Sequence, residues 1–215
     1  MANWLNTTFS GLDGAMFKAL NGISNNFLTF LCKFISFFGE KGWICLAVGL
    51  VMMLFKNTRR VGFSLILAVA IGALFTNIIL KNAVARPRPY LSEEYAGYWK
   101  AVGATNESEY SFPSGHTTAI TAGAVALFCA YNKKWSFIPL IFALVMGFTR
   151  IYLIVHYTTD VIMGFIVGTV AGVSSFYLSR CIFKVLEKHQ DKKLINFAVN
   201  FDILSLFAKK DENKE

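Results

Sequence analysis

Long apolar runs alternate with short polar or basic segments along most of this chain. Residues 61–80 form one run without a charged side chain, long enough for a helix to cross about 30 Å of hydrocarbon. Further apolar runs cover residues 43–55, 114–131, 135–155 and 161–183. This pattern predicts an all-α fold, a polytopic transmembrane helical bundle whose core spans residues 41–183.

Two segments near the N-terminus leave the number of spans open at five or six. Residues 27–38 are apolar but short, so they are either half-embedded in the bilayer or joined to their neighbours in one tilted span. Within residues 1–23, apolar side chains recur at helical spacing, which predicts an amphipathic helix at the membrane surface. Residues 1–40 are therefore predicted to form an N-terminal unit of interfacial or half-embedded helices.

The basic segments between the apolar runs predict an orientation. Placing residues 56–60, 133–134 and 180–215 on one side gathers 13 of the 21 Lys and Arg residues there. The positive-inside rule makes this the cytoplasmic side of the cell membrane. Residues 184–215 are thus predicted to be a cytoplasmic basic tail. Its apolar patch at 194–207 is either a second surface-lying helix or part of a solvated segment.

Composition supports a membrane protein and narrows the chemistry. Hydrophobic residues make up 55% of the chain and charged residues 16%, unlike a typical soluble domain. The net charge of +8 comes mostly from residues that flank apolar runs, so nucleic acid is not predicted as a partner. The four cysteines lack CxxC or Cys/His zinc spacing, which indicates neither disulfides nor a structural metal. Nothing in the composition indicates an oligomeric state.

Small residues recur within the last apolar run. Gly164, Gly168 and Gly172 are four residues apart. On a helix this spacing lines one face with glycines and lets a neighbouring helix approach closely. We predict a packing role for these glycines.

Three polar patches lie at the ends of apolar runs, at residues 81–89, 110–118 and 149–160. Alternation of the spans places them together on the non-cytoplasmic face. Lys81 and Arg88 belong to the first patch and Arg150 to the third. A charged group at membrane depth costs about 2.5–3.5 kcal/mol, so such groups are seldom idle. Three converging cations attract a multiply charged anion, and arginines suit bidentate phosphate contacts. Arg86, by contrast, is predicted to extend to the lipid headgroups.

The second patch opens the apolar run at residues 114–131. Ser114 is predicted to cap a helix whose first amides belong to Gly115 and His116. The free N–H groups of a helix N-terminus attract anions. Gly115 would permit close approach of a ligand to the backbone.

The third patch pairs a histidine with an aspartate. His156 and Asp160 are four residues apart, which on a helical turn places them on one face. An aspartate that accepts a hydrogen bond from one imidazole nitrogen leaves the other free to attack, and His116 would then be a separate general acid. A metal site formed by His116, His156 and Asp160 is the alternative. The nearby cations disfavour it, so neither a metal nor another cofactor is predicted.

Taken together, the patches resemble the three-part signature of the type-2 phosphatidic acid phosphatase family. The resemblance covers about residues 60–180. The matching residues are Lys81, six residues, then Arg88-Pro89; Pro113-Ser114-Gly115-His116; and Arg150, five residues, His156, three residues, Asp160. All three parts in this order form a highly specific signature.

The resemblance implies a metal-independent phosphatase with a helical-bundle core. It implies that His156 attacks phosphorus to form a phosphohistidine, that Asp160 holds His156, and that His116 protonates the leaving oxygen. The residues implied to bind the phosphate oxygens are Lys81, Arg88, Ser114, Gly115 and Arg150. Thr149 stands where the family usually has serine and keeps the hydroxyl, so little functional cost is expected.

The membrane context favours a lipid phosphate or diphosphate as substrate, bound at the outer headgroup level. The resemblance to short bacterial members of the family implies undecaprenyl diphosphate as the favoured substrate, with phosphatidylglycerophosphate and phosphatidate as alternatives. A non-catalytic anion transporter is the alternative from another class. It predicts cations distributed through the depth of several spans, and it gives the pair of His156 and Asp160 no role.

Overall fold

The computed structural model describes residues 1–107, 109–131 and 134–205. Every regular element within these ranges is helical. The α-helices are α1 (Ala2–Thr8), α2 (Ser10–Gly22), α3 (Asn26–Gly39), α4 (Trp43–Met53), α5 (Arg59–Ala73), α6 (Lys81–Val84), α7 (Glu93–Val102), α8 (Gly115–Tyr131), α9 (Ile138–Tyr152), α10 (Thr158–Lys188) and α11 (Lys193–Asn200). A wider π-helical turn at Leu74–Leu80 joins α5 to α6 in one continuous helical run.

Three helical runs are long and apolar enough to cross a membrane, and their bounds are Asn26–Met53, Arg59–Leu91 and Thr158–Lys188. The apolar helix α9 is shorter. Helix α8 lies at the centre of the bundle, where it packs against α5, α9 and α10. Residues 117–126 of α8 are all buried, as befits a helix surrounded by others. The prediction of an all-α transmembrane bundle is confirmed.

Residues 26–53 form a single candidate span that is broken near its middle. Helix α3 passes into α4 through a 3-10 turn at Glu40–Gly42, where Lys41 and Gly42 have φ values of 49° and 69°. A Cβ at Gly42 would lie 2.9 Å from the Cβ of Ala119, so glycine also allows α8 to approach here. The short segment at 27–38 is therefore joined to α4 within one candidate span, which is one of its two predicted alternatives. The division of the chain at residues 40 and 183 stays a prediction.

The three glycines of the last apolar run lie on the face of α10 that packs against α8. If each were an alanine, its Cβ would lie 3.0 Å from Thr117 Cβ at Gly164, 2.7 Å from Thr121 Cβ at Gly168 and 2.8 Å from Val125 Cβ at Gly172. Cβ atoms do not approach this closely without a shift of the helices. The predicted packing role is confirmed, and it brings the first turns of α8 and α10 side by side.

The N-terminal helix α2 and the C-terminal helix α11 pack at opposite ends of the bundle. At the N-terminus, α2 contacts α9 and α10, and Phe17 inserts between Tyr95 and Tyr157 with ring centroids 4.8 and 5.9 Å away. At the other end, Arg59 donates hydrogen bonds to the carbonyl oxygens of Met53 at 3.0 Å and Val199 at 2.7 Å. This buried arginine, which also donates to the carbonyl oxygen of Phe201, anchors the end of α11 to the start of α5.

The predicted tail helix is present as α11. Its Leu194 and Phe197 are exposed, as a helix at a membrane surface requires. Residues 206–215, including Lys209 and Lys210, lie outside the described residues. The same holds for Lys133 of the basic segment between the third and fourth apolar runs.

We predict that Gly168→Ala destabilises the bundle by about 1–3 kcal/mol, the usual cost of overpacking. The new Cβ would meet the carbonyl oxygen of Thr118 at 2.7 Å, and a helix backbone yields less easily than a side chain. The measurement is the melting temperature of the purified protein in detergent. Gly97→Ala on α7 is the matched control, because no atom lies within 4 Å of its Cβ. Equal melting temperatures for the two variants would contradict the packing role.

Candidate active site

The three polar patches meet at one end of the bundle around a cavity of about 690 Å³. The predicted site residues that line this cavity are Lys81, Arg88, Gly115, His116, Arg150 and His156. Ser114 and Asp160 are fully buried. The backbone N–H of Ser114 donates to the carbonyl oxygen of Asp160 at 3.0 Å, which ties the beginnings of α8 and α10 together. The structure therefore brings all eight predicted residues into one region.

Local backbone conformation places the first two cations. Helix α6 begins at Lys81 and ends where Ala85 adopts a left-handed conformation with φ of 50°. Pro87 and Pro89 lack an N–H, so the helix cannot resume, and Arg88 is extended with φ of −75° and ψ of 153°. The Arg88 Nε donates to the carbonyl oxygen of Glu109 at 2.8 Å, and Nη1 donates to that of Val155 at 2.9 Å. These bonds fix the guanidinium at the cavity wall.

Carboxylates from the loop between α7 and α8 pair with the three cations. Lys81 Nζ forms an ion pair with Glu109. Glu107 bridges two arginines, because its Oε2 lies 2.7 Å from Arg88 Nη2 while its Oε1 pairs with Arg150. Burial raises the pKa of Glu107, but the charges of Arg150 and Arg88 hold it below the usual value of a glutamate. An ionised carboxylate thus occupies the place where the arginines can hold an anion.

Glu107 was not among the site residues predicted from the sequence. The loop carries no helical or strand periodicity, so the direction of its side chains could not be predicted. The only available signal was charge, because the carboxylate of Glu107 lies between the basic segment at residues 81–88 and the next apolar run. That signal does not single out Glu107 from Glu93, which is exposed on α7.

His156 lies at the cavity wall with its two ring nitrogens in different surroundings. Its Nε2 is 3.2 Å from Arg88 Nη1. An arginine only donates, so Nε2 must be the unprotonated nitrogen, and the ring proton is on Nδ1. Burial, followed by the charges of Arg88 and Arg150, holds the pKa of His156 well below its ordinary value. The imidazole is therefore neutral at pH 7, and the electron pair of Nε2 accepts a hydrogen bond from Arg88 at the cavity wall.

The predicted pairing of His156 with Asp160 is present in a different local setting. His156 precedes α10 rather than sitting inside a helix, and Asp160 belongs to the first turn of α10. The distance from His156 Nδ1 to Asp160 Oδ2 is 3.5 Å, which is too long for a good hydrogen bond. Asp160 Oδ2 instead accepts a hydrogen bond from the backbone N–H of Tyr157 at 2.9 Å. The carboxylate is poised beside the protonated ring nitrogen.

The beginning of α8 partly matches its prediction. The Ser114 hydroxyl accepts from the Thr117 amide at 3.4 Å, which is a long N-cap bond, and from the Thr117 hydroxyl at 2.9 Å. The Ser114 side chain is thus engaged within its own helix. Gly115 and His116 both line the cavity. The hydroxyl of Thr149 donates to the carbonyl oxygen of Met146 at 2.8 Å, so it too is engaged within its own helix.

The prediction that Arg86 extends to the lipid headgroups is wrong. Arg86 is fully buried and forms ion pairs with Asp160 at 2.6 Å and with Asp13 at 3.0 Å. Two buried carboxylates require a counter-charge, and Arg86 supplies it. Sequence reasoning missed this because Asp13 is distant along the chain and lies in a segment whose pattern indicates only an amphipathic helix.

No group of three or more His, Cys, Asp or Glu side chains is placed to hold a metal ion in the described ranges 1–107, 109–131 and 134–205. All four cysteines are free thiols. The chemistry available at the cavity is therefore that of its cations, its two histidines and the carboxylates that surround them.

Comparison with known proteins identifies the family. The sequence profile of the PAP2 superfamily matches residues 61–183, a range that includes all eight predicted site residues. The chain belongs to the PAP2 superfamily. It is a membrane phosphatase of that family, as the three-part signature implied, and the predicted enzyme class is confirmed.

Individual relatives differ in the lipid that their names specify. An undecaprenyl-diphosphatase of Sulfolobus acidocaldarius is 29% identical over 162 residues, covering 74% of each chain. A lipid A 4'-phosphatase of Bacteroides thetaiotaomicron is 27% identical over 177 residues, covering 79% of this chain and 78% of the relative. The crystal structure of a transmembrane PAP2 type phosphatidylglycerolphosphate phosphatase from Bacillus subtilis superposes with a TM-score of 0.64 at 23% identity, covering 82% and 87% of the two chains.

We predict that Glu107→Gln strengthens inhibition by inorganic phosphate about tenfold, equivalent to about 1.4 kcal/mol. The substitution removes the negative charge between Arg88 and Arg150, so an anion no longer competes with Glu107 for them. The measurement is the inhibition constant of inorganic phosphate for the purified enzyme. Glu93→Gln, an exposed carboxylate outside the cavity, is the matched control and should leave the constant unchanged. Weaker inhibition of the Glu107 variant would contradict the competition.

Proposed function

We propose that this PAP2 enzyme hydrolyses a lipid diphosphate, with undecaprenyl diphosphate as substrate and undecaprenyl phosphate as product. The observation that carries the proposal is the shared cavity, in which Lys81, Arg88 and Arg150 surround His156 and His116. Three cations match the charge of a terminal phosphate. The neutral Nε2 of His156 supplies a nucleophile beside them, held by Arg88 at 3.2 Å.

The reaction would proceed in two displacements at phosphorus. His156 Nε2 attacks, an N–P bond forms, and the bond from phosphorus to the lipid oxygen breaks. Asp160 stabilises the positive charge that develops on the imidazole, because its Oδ2 lies 3.5 Å from Nδ1. His116 would give a proton to the leaving lipid oxygen and then take one from the water that hydrolyses the phosphohistidine. Hydrolysis releases inorganic phosphate and regenerates the free histidine.

Substrate binding would displace Glu107 from the arginines. The two oxygens of its carboxylate are spread over Arg88 and Arg150 in the way that two phosphate oxygens would be. Lys81, paired with Glu109, would bind a third oxygen. Of the remaining predicted phosphate ligands, Gly115 lines the cavity and could use its backbone N–H. Ser114 would act through the conformation of the helix start rather than through its hydroxyl.

The choice of lipid rests on the relatives and on the bundle. Apolar residues of α3, α5 and α8, among them Phe37, Val69 and Ala119, line part of the cavity, so a substrate with long chains could reach the phosphate site from between helices. An undecaprenyl-diphosphatase is among the similar proteins and supports the diphosphate. Phosphatidylglycerophosphate and phosphatidate remain the alternative substrates, because a phosphatidylglycerolphosphate phosphatase has a similar fold. A non-catalytic transporter would leave the His156 and Asp160 pair without a role.

We also propose that the cavity faces the outside of the cell membrane. The cavity and the anchored end of α11 lie at opposite ends of the bundle, so the basic tail would be cytoplasmic. The excess of Lys and Arg in the segments at the tail end supports this orientation.

A substrate panel tests the proposal. Purified protein in detergent should release phosphate from undecaprenyl diphosphate faster than from phosphatidylglycerophosphate or phosphatidate. Because the mechanism uses no metal, the rate should be unaffected by a chelator. No turnover of any of the three lipids would exclude the proposed substrates, and loss of activity in chelator would exclude the metal-independent mechanism.

A further inference from the structure

We propose that Asp13 and Arg86 are positioning residues for the phosphatase reaction. They hold Asp160 in place against His156, which makes the N-terminal helix α2 part of the active site. Neither residue belongs to the three-part signature, and neither lines the cavity. The inference rests on the proposed role of His156 as the nucleophile.

The guanidinium of Arg86 is fully buried, and each of its three nitrogens has a partner. Its Nη1 donates to Asp160 Oδ1 and to the Thr159 hydroxyl, both at 2.6 Å. Its Nη2 donates to Asp13 Oδ2 at 3.0 Å, and its Nε donates to Asn6 Oδ1 at 2.7 Å. Partners on α1, α2 and α10 therefore fix the orientation of this one side chain. A planar group held on all sides is a rigid support for the carboxylate it contacts.

Asp13 connects α2 directly to the helix that carries Asp160. Its Oδ2 accepts from Arg86, while its Oδ1 accepts from the backbone N–H of Thr158 at 2.9 Å. Thr158 is the first residue of α10, and a carboxylate at a helix N-terminus is favoured by the helix dipole. Asp13 is 1% exposed, so these contacts are made away from water and are strong.

These contacts fix the orientation of the Asp160 carboxylate. Arg86 holds Oδ1, and the backbone N–H of Tyr157 holds Oδ2 at 2.9 Å. With both oxygens fixed, Oδ2 points to His156 Nδ1. The Tyr157 ring lies against the Arg86 guanidinium, with 3.6 Å between the guanidinium carbon and the ring centroid. Loss of Arg86 would free Asp160 to rotate and leave the buried carboxylates short of positive charge.

The opposite end of the bundle supplies a matched comparison. Arg59 is also buried and also anchors a terminal segment, but the hydrogen bonds it donates go to backbone carbonyl oxygens such as those of Met53 and Val199. It has no contact with the cavity. Arg59→Gln therefore reports what loss of a buried anchoring arginine does to the fold, without altering the surroundings of Asp160.

The test compares Arg86→Gln and Asp13→Asn with Arg59→Gln, using undecaprenyl diphosphate, or phosphatidate if the panel selects it. The first two variants should lower kcat about 10–100-fold, the usual range for the supporting partners of a functional histidine. Their inhibition by inorganic phosphate should stay at the parent value, because neither residue contacts the phosphate-binding cations. Arg59→Gln should lower the melting temperature in detergent and keep kcat. Arg86→Lys, which retains the charge, should recover part of kcat.

A double-mutant cycle shows whether Arg86 acts through Asp160. In an Asp160→Asn background, Arg86→Gln should cause no further loss of kcat, because the group it positions is already neutral. An additive loss would overturn the inference and assign Arg86 a general structural role. If Arg86→Gln does not fold, the kcat of Asp13→Asn provides the test. In this variant Arg86 can still pair with the buried Asp160.

His156→Ala separates this inference from the proposed function. The positioning roles alone are overturned if His156→Ala is inactive while Arg86→Gln and Asp13→Asn both keep the parental kcat. An active His156→Ala enzyme overturns the proposed nucleophile, and the positioning roles fall with it.

Discussion

Charge buried at one end of an apolar bundle is the constraint on which the rest of this site depends. A buried guanidinium or ammonium group needs a counter-charge or a full set of hydrogen-bond acceptors. Lys81, Arg86, Arg88 and Arg150 each pair with a carboxylate. The pairs form two layers. In the cavity, Glu107 bridges Arg88 and Arg150 and can give way to a substrate anion, whereas behind His156 the carboxylates that pair with Arg86 are inaccessible to substrate.

Close helix packing delivers these groups to one place. The glycine face of α10 lets α8 approach until the Ser114 amide donates to the carbonyl oxygen of Asp160 at 3.0 Å. This contact sets the beginning of α8, with His116, beside the turn that carries His156. The two histidines and the cations thus come from different parts of the chain, and their relative placement depends on the tightly packed interface between α8 and α10.

Much of this arrangement could be predicted from the sequence because its signals are local. Apolar runs predict spans, and short fixed spacings relate Arg150 to His156 and Asp160. Contacts between distant segments were not predictable in the same way. Arg86 was assigned to the headgroups because its partner Asp13 lies on another helix, and no pattern in either segment relates the two. Glu107 was overlooked because an aperiodic loop gives no direction for a side chain.

In the proposed mechanism, His156 carries the phosphoryl group during turnover. The most direct measurement is to quench the working enzyme in alkali after mixing it with substrate labelled in the terminal phosphate, and to locate the label by mass spectrometry. We predict an acid-labile, alkali-stable phosphoramidate on His156 and none on His189, the exposed histidine at the opposite end of the bundle. Label on another residue, or turnover without any labelled enzyme under rapid quenching, would contradict the account.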